Sequence, residues 1–362
     1  MIHDVQTTIQ RDVKPTLYRE KIIKQNKGNF YKPQTKQNKT KQNNMSYQTV
    51  IEAARDNKSL ILNHTCFRVK DPSISVKFYE TKFGMKLVSK MDFPDMKFSL
   101  YFLTFPEAKT GGEKELDTRG VFGVPGVLEL THNWGTENDP DYKVNNGNEE
   151  PHRGFGHICF AVSDIREACE TLEANGVQFK KRLSDGRQKD IAFALDPDGY
   201  WIELVQLSAD SKDHATRFNH TMIRVKDPVK SLEFYQNVLG MTLLDKSVHE
   251  NAKFTLYFLG YPQANNGGNR RNLEGVLELT HNWGTETDPD FKYHNGNTQP
   301  QGYGHICISC EDPETLCKEI QDKYGDKVTW APKFNHGKMK NLAFIRDPDD
   351  YSIEIVPSGL KL

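Results

Sequence analysis

Repetition restricts this fold more than any other feature of the chain. "VLELTHNWGTE" from Val127 to Glu137 returns unchanged from Val276 to Glu286, and self-similarity of this kind sets the architecture before any local pattern does. Other segments recur in the same order. "NHTCFRVKDP" at Asn63 matches "NHTMIRVKDP" at Asn219, and "KFSLYFL" at Lys97 matches "KFTLYFL" at Lys253. "GFGHIC" at Gly154 matches "GYGHIC" at Gly302, and "DPDGYWIELV" at Asp196 matches "DPDDYSIEIV" at Asp347. Two homologous domains follow, at 60–208 and 216–358, with a polar link at 209–215 and a short tail at 359–362. The link leaves the halves able to fold separately and then dock.

Each half is itself double. "HTCFRVKD" from His64 aligns with "HICFAVSD" from His157, and a helix is expected after each. Asp71 and Asp164 suit N-caps, Pro72 suits a first helical turn, and Gly84 and Gly176 end the helical patterns. Strand-like runs come next, the last of them carrying a glutamate in "VLELT" or "WIELV". The expectation is an α+β chain of four βαβββ modules, each opening on a histidine and closing on a glutamate. The pairs are His64 with Glu129, His157 with Glu203, His220 with Glu278, and His305 with Glu354.

Alternation along a strand places His64, Cys66 and Arg68 on one face and Thr65, Phe67 and Val69 on the other. In the closing strand Val127, Glu129, Thr131 and Asn133 share a face. The bulkier set Phe67, Val69, Leu128 and Leu130 suits the face that a helix covers, so His64 and Glu129 look the opposite way. A single strand histidine is ordinarily a hydrogen-bonded residue, but here the same pairing occurs four times. Two modules facing each other would gather two imidazoles and two carboxylates, a set suited to a divalent first-row metal. Arg68, Asn133 and Arg153 each lie four residues from a ligand on its own face, ~13 Å along the strand. That spacing suits a long anionic ligand with one end at the metal and its carboxylates on guanidinium, although pairing with surface acids is the plain alternative.

The composition excludes several other classes. A net charge of -1 over 362 residues gives no general attraction to nucleic acid or an anionic membrane, and no apolar run approaches the ~18 residues of a membrane span. The six cysteines sit mostly in apolar patterns without a secretory signal, which points to reduced thiols and a cytoplasmic location; Cys307 and Cys310 form a CxxC inside a strand pattern, with no second CxxC to complete a zinc knuckle. Residues 1–44 differ from the rest, with ten Lys or Arg against three Asp or Glu. This arm, with the lead-in to residue 59, is expected to be disordered; it reads either as a non-functional leader upstream of a start at Met45 or as an organellar transit peptide, the latter disfavoured by its Lys, Gln and Asn content.

At "RVKDP", "LELTHNWGTE", "GFGHI" and "DPDGYWIE" the chain closely resembles the glyoxalase I family of the vicinal oxygen chelate superfamily, over about residues 60–358, and its tandem plan is similar to the monomeric two-domain fungal type. The resemblance implies paired βαβββ modules with one divalent metal per site. One site would take His64, Glu129, His305 and Glu354, the other His220, Glu278, His157 and Glu203. Zinc is the first expectation, with nickel or iron as alternatives, because His64 and His220 stand where many dimeric eukaryotic members carry glutamine. The implied substrate is the hemithioacetal of methylglyoxal and glutathione, isomerised through an enediolate to S-lactoylglutathione, with Glu203 and Glu354 as the catalytic bases.

The glutathione contacts carry over unevenly. Arg68 and Asn133, and Arg224 and Asn282, match the family's anchors on one side; opposite them only Arg153 and Lys181 match. Their second-half counterparts are Gln301 and about Pro332, with Lys333, Lys338 or Lys340 as substitutes. The His157/Glu203/His220/Glu278 site is therefore expected to hold glutathione more firmly. Related modules also serve as ring-cleaving dioxygenases, epimerases and non-enzymatic binding proteins. Four intact ligands per site argue against the dioxygenase and binding readings.

Overall fold

The computed structural model describes residues 60–105, 120–186, 188–211, 214–261 and 269–360. The basic arm at 1–59 lies outside these residues. Four modules follow one another. The first holds β1 (Ile61–Arg68), α1 (Pro72–Phe83), β2 (Lys86–Phe93), β3 (Phe98–Thr104) and β4 (Val127–Asn133). The second holds β5 (Phe155–Val162), α2 (Ile165–Ala174), β6 (Phe179–Lys181), β7 (Ile191–Leu195) and β8 (Trp201–Gln206). The third holds β9 (Arg217–Arg224), α3 (Pro228–Glu233), β10 (Thr242–His249), β11 (Phe254–Gly260) and β12 (Val276–Asn282). The fourth holds β13 (Tyr303–Cys310), α4 (Pro313–Tyr324), β14 (Thr329–Trp330), β15 (Ala343–Arg346) and β16 (Ser352–Pro357).

The helix signals act as their chemistry requires. The Asp71 side chain accepts from the Ser73 amide and the Asp164 side chain from those of Arg166 and Glu167, satisfying N–H groups that a first turn leaves open. Gly84 closes α1 at φ +75°, where a Cβ would be strained.

The modules combine across the halves. One eight-stranded sheet has the order β14-β15-β16-β13-β1-β4-β3-β2 and the other β10-β11-β12-β9-β5-β8-β7-β6. The first thus joins the first and fourth modules through the antiparallel pair β1/β13, and the second joins the two middle modules through β5/β9. Neither half completes a sheet by itself. The face bearing Phe67, Leu128 and Leu130 packs into one shared core with Tyr79, Phe155, Tyr235, Ile306 and Ile353. At its centre Phe155 stacks on Tyr303 of the other half, ring centroids 5.1 Å apart. The hydroxyls of Thr65 and Thr221, on the homologous strands β1 and β9, meet directly.

The repeated aspartates fasten modules within each half. Asp196 accepts from Tyr79 Oη at 3.0 Å, and Asp347 from Tyr235 Oη at 2.9 Å. Asp198 receives the Lys70 amide and Asp349 the Lys226 amide. "RVKDP" and "DPDGY" therefore form a buried joint between modules that lie in different sheets.

Candidate metal centre

Every module uses the same offset to bring its pair together. In the parallel ladder β1/β4 Cys66 faces Glu129, so the glutamate stands beside the residue two beyond His64 and on the same face. The pairs Met222/Glu278, Cys159/Glu203 and Cys307/Glu354 repeat this relation. At the seams Cys66 faces His305 and Cys159 faces His220, which turns two modules' pairs toward one another.

Two four-residue sets result: His64, Glu129, His305 and Glu354, and His157, Glu203, His220 and Glu278. In the first, His64 Nε2 lies 3.0 Å from Glu129 Oε2, 3.1 Å from His305 Nε2 and 3.4 Å from Glu354 Oε2. In the second, His220 Nε2 lies 3.0 Å from Glu278 Oε2, 3.1 Å from Glu203 Oε2 and 3.3 Å from His157 Nε2. A tetrahedral ion with bonds near 2.1 Å would hold its ligand atoms roughly 3.4 Å apart, so the donor sets fit a divalent metal in identity and spacing. Burial acts to lower the His64 imidazole, but Glu129 and Glu354 hold it up to about 9. Burial acts to raise Glu203 and Glu354, yet their paired imidazoles hold both well below the usual carboxylate range.

A phenylalanine on the adjacent strand faces each of the four glutamates: Phe102, Phe193, Phe258 and Phe344 opposite Glu129, Glu203, Glu278 and Glu354. Each stands edge-on to an imidazole of the same set, at centroid separations of 5.2–5.8 Å. Such walls exclude water and fix ring orientation. Their signal was present in the repeated "YF" and "AF" pairs, which read simply as core.

The glycines three residues before His157 and His305 follow from close approach. A Cβ on Gly154 would fall 1.9 Å from His294 O, and one on Gly302 would fall 1.8 Å from Asn145 O. Loops from opposite halves cross at these points.

Arg68 and Arg224 each reach to a loop of the other half. Arg224 Nη1 donates to the carbonyls of Gly147, Gly154 and Phe155 at 2.9–3.3 Å, and Nη2 donates to Asn148 Oδ1 at 2.8 Å. Arg68 makes the corresponding contacts with Gly296, Gly302, Tyr303 and Asn297. Asn148 and Asn297 also donate to the carbonyls of Gly156 and Gly304, at 2.6 Å, tying each guanidinium to the residue before His157 or His305. The "NGN" at 146–148 and 295–297 carried this signal in both halves but reads as an ordinary turn.

The other expected anchors are placed less evenly. Asn282 donates to Tyr293 Oη at 2.9 Å, and Asn133 hydrogen-bonds the Tyr142 hydroxyl. Burial lowers the Arg224 guanidinium and the nearby Arg153 charge lowers it further, so two cations share the end of one site. Arg153 also contacts Glu150 at 3.2 Å. Gln301, its counterpart, donates to Asn297 O at 3.0 Å. Lys181 is engaged with its own hairpin, donating to Gln188 O and Ile191 O. Lys340 donates to Asn335 O.

All six cysteines are buried and free. Burial pushes the Cys307 thiol well above its ordinary value, away from the thiolate that metal or redox chemistry needs. Among the described residues no helix is long and apolar enough to cross a membrane.

Two mixed sheets of paired βαβββ modules, each holding a two-histidine, two-glutamate set at its seam, define the class. The chain belongs to the Glyoxalase/Bleomycin resistance protein/Dioxygenase superfamily, whose model matches residues 61–204 and 217–355. It is 64% identical over 321 residues to glyoxalase I of Saccharomyces cerevisiae, covering 87% of this chain and 97% of that one. It is 48% identical to the lactoylglutathione lyase of Schizosaccharomyces pombe, covering 84% and 99%. The crystal structure of glyoxalase I from Zea mays superposes with a TM-score of 0.64 at 29% identity, over 83% of this chain and 93% of that one.

Proposed function

We propose that this chain is a lactoylglutathione lyase of the glyoxalase I type, acting as a monomer with two active sites on the hemithioacetal of methylglyoxal and glutathione in the cytoplasm. The observation that carries the reading is the pair of four-ligand sets, each assembled from both halves. Zinc is the proposed ion, since its preferred coordination matches two imidazoles and two carboxylates. When bound, a divalent ion supplies Lewis-acid stabilisation of charge developing on substrate oxygens.

The chain's own groups supply the rest. Glu203 in one site and Glu354 in the other take the proton from the carbon next to the carbonyl and return it to the adjacent carbon. Such proton transfer is typically worth ~10² to 10⁴ in rate. His64 and His305 hold the Glu354 carboxylate in place, and His220 and His157 that of Glu203, while Glu129 and Glu278 complete the sets. The phenylalanine walls keep water from the proton in transit. Arg224 with Arg153 and Asn282, and Arg68 with Asn133, hold the glutathione carboxylates through charge-assisted hydrogen bonds. Lys181 is proposed as a further contact at the first of these. The intact glutamates disfavour a purely binding role.

The test is thioester formation from methylglyoxal and glutathione by the metal-loaded full chain. Turnover is expected; a fully loaded chain that forms no thioester would overturn the lyase reading and leave another reaction of the superfamily or a binding role.

A further inference from the structure

The histidine that opens each four-ligand set follows a fully buried asparagine, Asn63 before His64 and Asn219 before His220. The Asn63 amide nitrogen donates to the carbonyls of Val121 and Val124 at 2.9 and 2.5 Å. That of Asn219 donates to Arg270 and Leu273 at 2.7 Å each. Carbonyls only accept, so they fix which end of each amide is nitrogen and leave Oδ1 facing the histidine. The separation from Asn63 Oδ1 to His64 Nδ1 is 2.7 Å, and from Asn219 Oδ1 to His220 Nδ1 it is 2.8 Å. Nδ1 must then carry the hydrogen, and in a neutral ring the lone pair falls on Nε2. Nε2 is the atom aimed at the carboxylates in both sets.

We propose that Asn63 and Asn219 are positioning residues that lock the opening histidine of each set as an Nε2 ligand and thereby set the metal affinity of that site. The inference rests on the metal reading above. The same amides hold the turns at Val121–Gly123 and Arg270–Asn272, which precede the strands bearing Glu129 and Glu278. One asparagine thus orients an imidazole and anchors the approach to its partner glutamate. The second histidine of each set, His157 or His305, follows a glycine and has no such neighbour; a Cβ on Gly156 or Gly304 would strike Met222 or Cys66.

The experiment strips metal from the full chain, titrates it with Zn²⁺ or Co²⁺ against a chelating indicator, and records imidazole nitrogen NMR spectra of the Zn²⁺-loaded protein. Wild type is compared with Asn63→Leu, which removes the acceptor, and Asn63→Asp, which keeps an acceptor but loses both donors. Asn63→Leu should weaken one of two bound ions by ~10- to 100-fold and lose the Nδ1–H tautomer of His64. Asn63→Asp should melt at lower temperature yet bind both ions within a few-fold of wild type. Equal binding by wild type and Asn63→Leu would overturn the proposal alone. So would an equal loss in both variants, since the amide would then be only a fold contact. If Asn63→Leu does not fold, retention or loss of the ion by Asn63→Asp decides between the same outcomes. A wild type that takes up no ion removes the metal reading and this inference with it.

Discussion

His64 Nε2 lies 3.1 Å from His305 Nε2, across a separation of 241 residues and between opposite halves of the chain. Two imidazole lone pairs this close repel unless a proton or a cation lies between them. An ion at each set should therefore stabilise the assembly of the two halves, by ~4 kcal/mol per site at free metal a thousand times the dissociation constant. Calorimetric melting with and without a chelator checks this. A melting temperature independent of metal would contradict it.

Arg224 is buried and serves three backbone carbonyls, whereas Arg68 is only partly buried and makes the corresponding contacts in the other half. Arg224→Gln should cost roughly 1–3 kcal/mol of stability, because buried carbonyls lose a charged donor, and Arg68→Gln should cost less. Both should raise the KM for the glutathione adduct. Urea unfolding and steady-state kinetics measure the two effects separately.

Arg153 adds a second guanidinium beside Arg224, while Gln301 gives the other site a neutral amide. Arg153→Gln should raise KM in a chain whose other site is silenced by Glu354→Gln. A lost charge-assisted contact of ~1.5–3 kcal/mol corresponds to roughly ten- to hundred-fold. Equal KM values for the two sites in wild type would contradict the asymmetry.

The joints at Asp196 and Asp347 should impose a pH dependence on stability. Burial, reinforced by neighbouring Asp198 and Asp349, pushes these carboxyls up to about 7 and about 8. Folded values above the unfolded ~3.9 mean that the contribution is fully present at low pH and is lost as pH rises through the folded values. The melting temperature of Asp347→Asn relative to wild type should therefore climb as pH is raised from ~5 to ~8. A flat difference would show that these carboxyls titrate normally.

The repeats made four βαβββ modules legible, because the same strand and helix signals return four times, each set opening on a histidine and closing on a glutamate. Pattern alone did not say which modules meet: nothing in the residues of β1 selects β13 over β5, and the crossed pairing came from the family likeness. Asn63, Asn148 and the four phenylalanines were harder to see. An amide's role depends on which carbonyls surround it, and a phenylalanine in a strand reads as core whether it faces a helix or an imidazole. The first aspartate of "DPDGY" belongs to a joint whose tyrosine partner lies 117 residues away, a contact that no local pattern shows.

The chain should hold two working sites, each built from both halves and each with its own proton carrier. Initial rates of thioester formation by wild type, Glu203→Gln, Glu354→Gln and the double variant, all metal-loaded, address it most directly. Each single variant should keep part of the activity while the double variant loses nearly all of it. A single substitution that abolishes activity, or a double variant that retains it, would contradict the account.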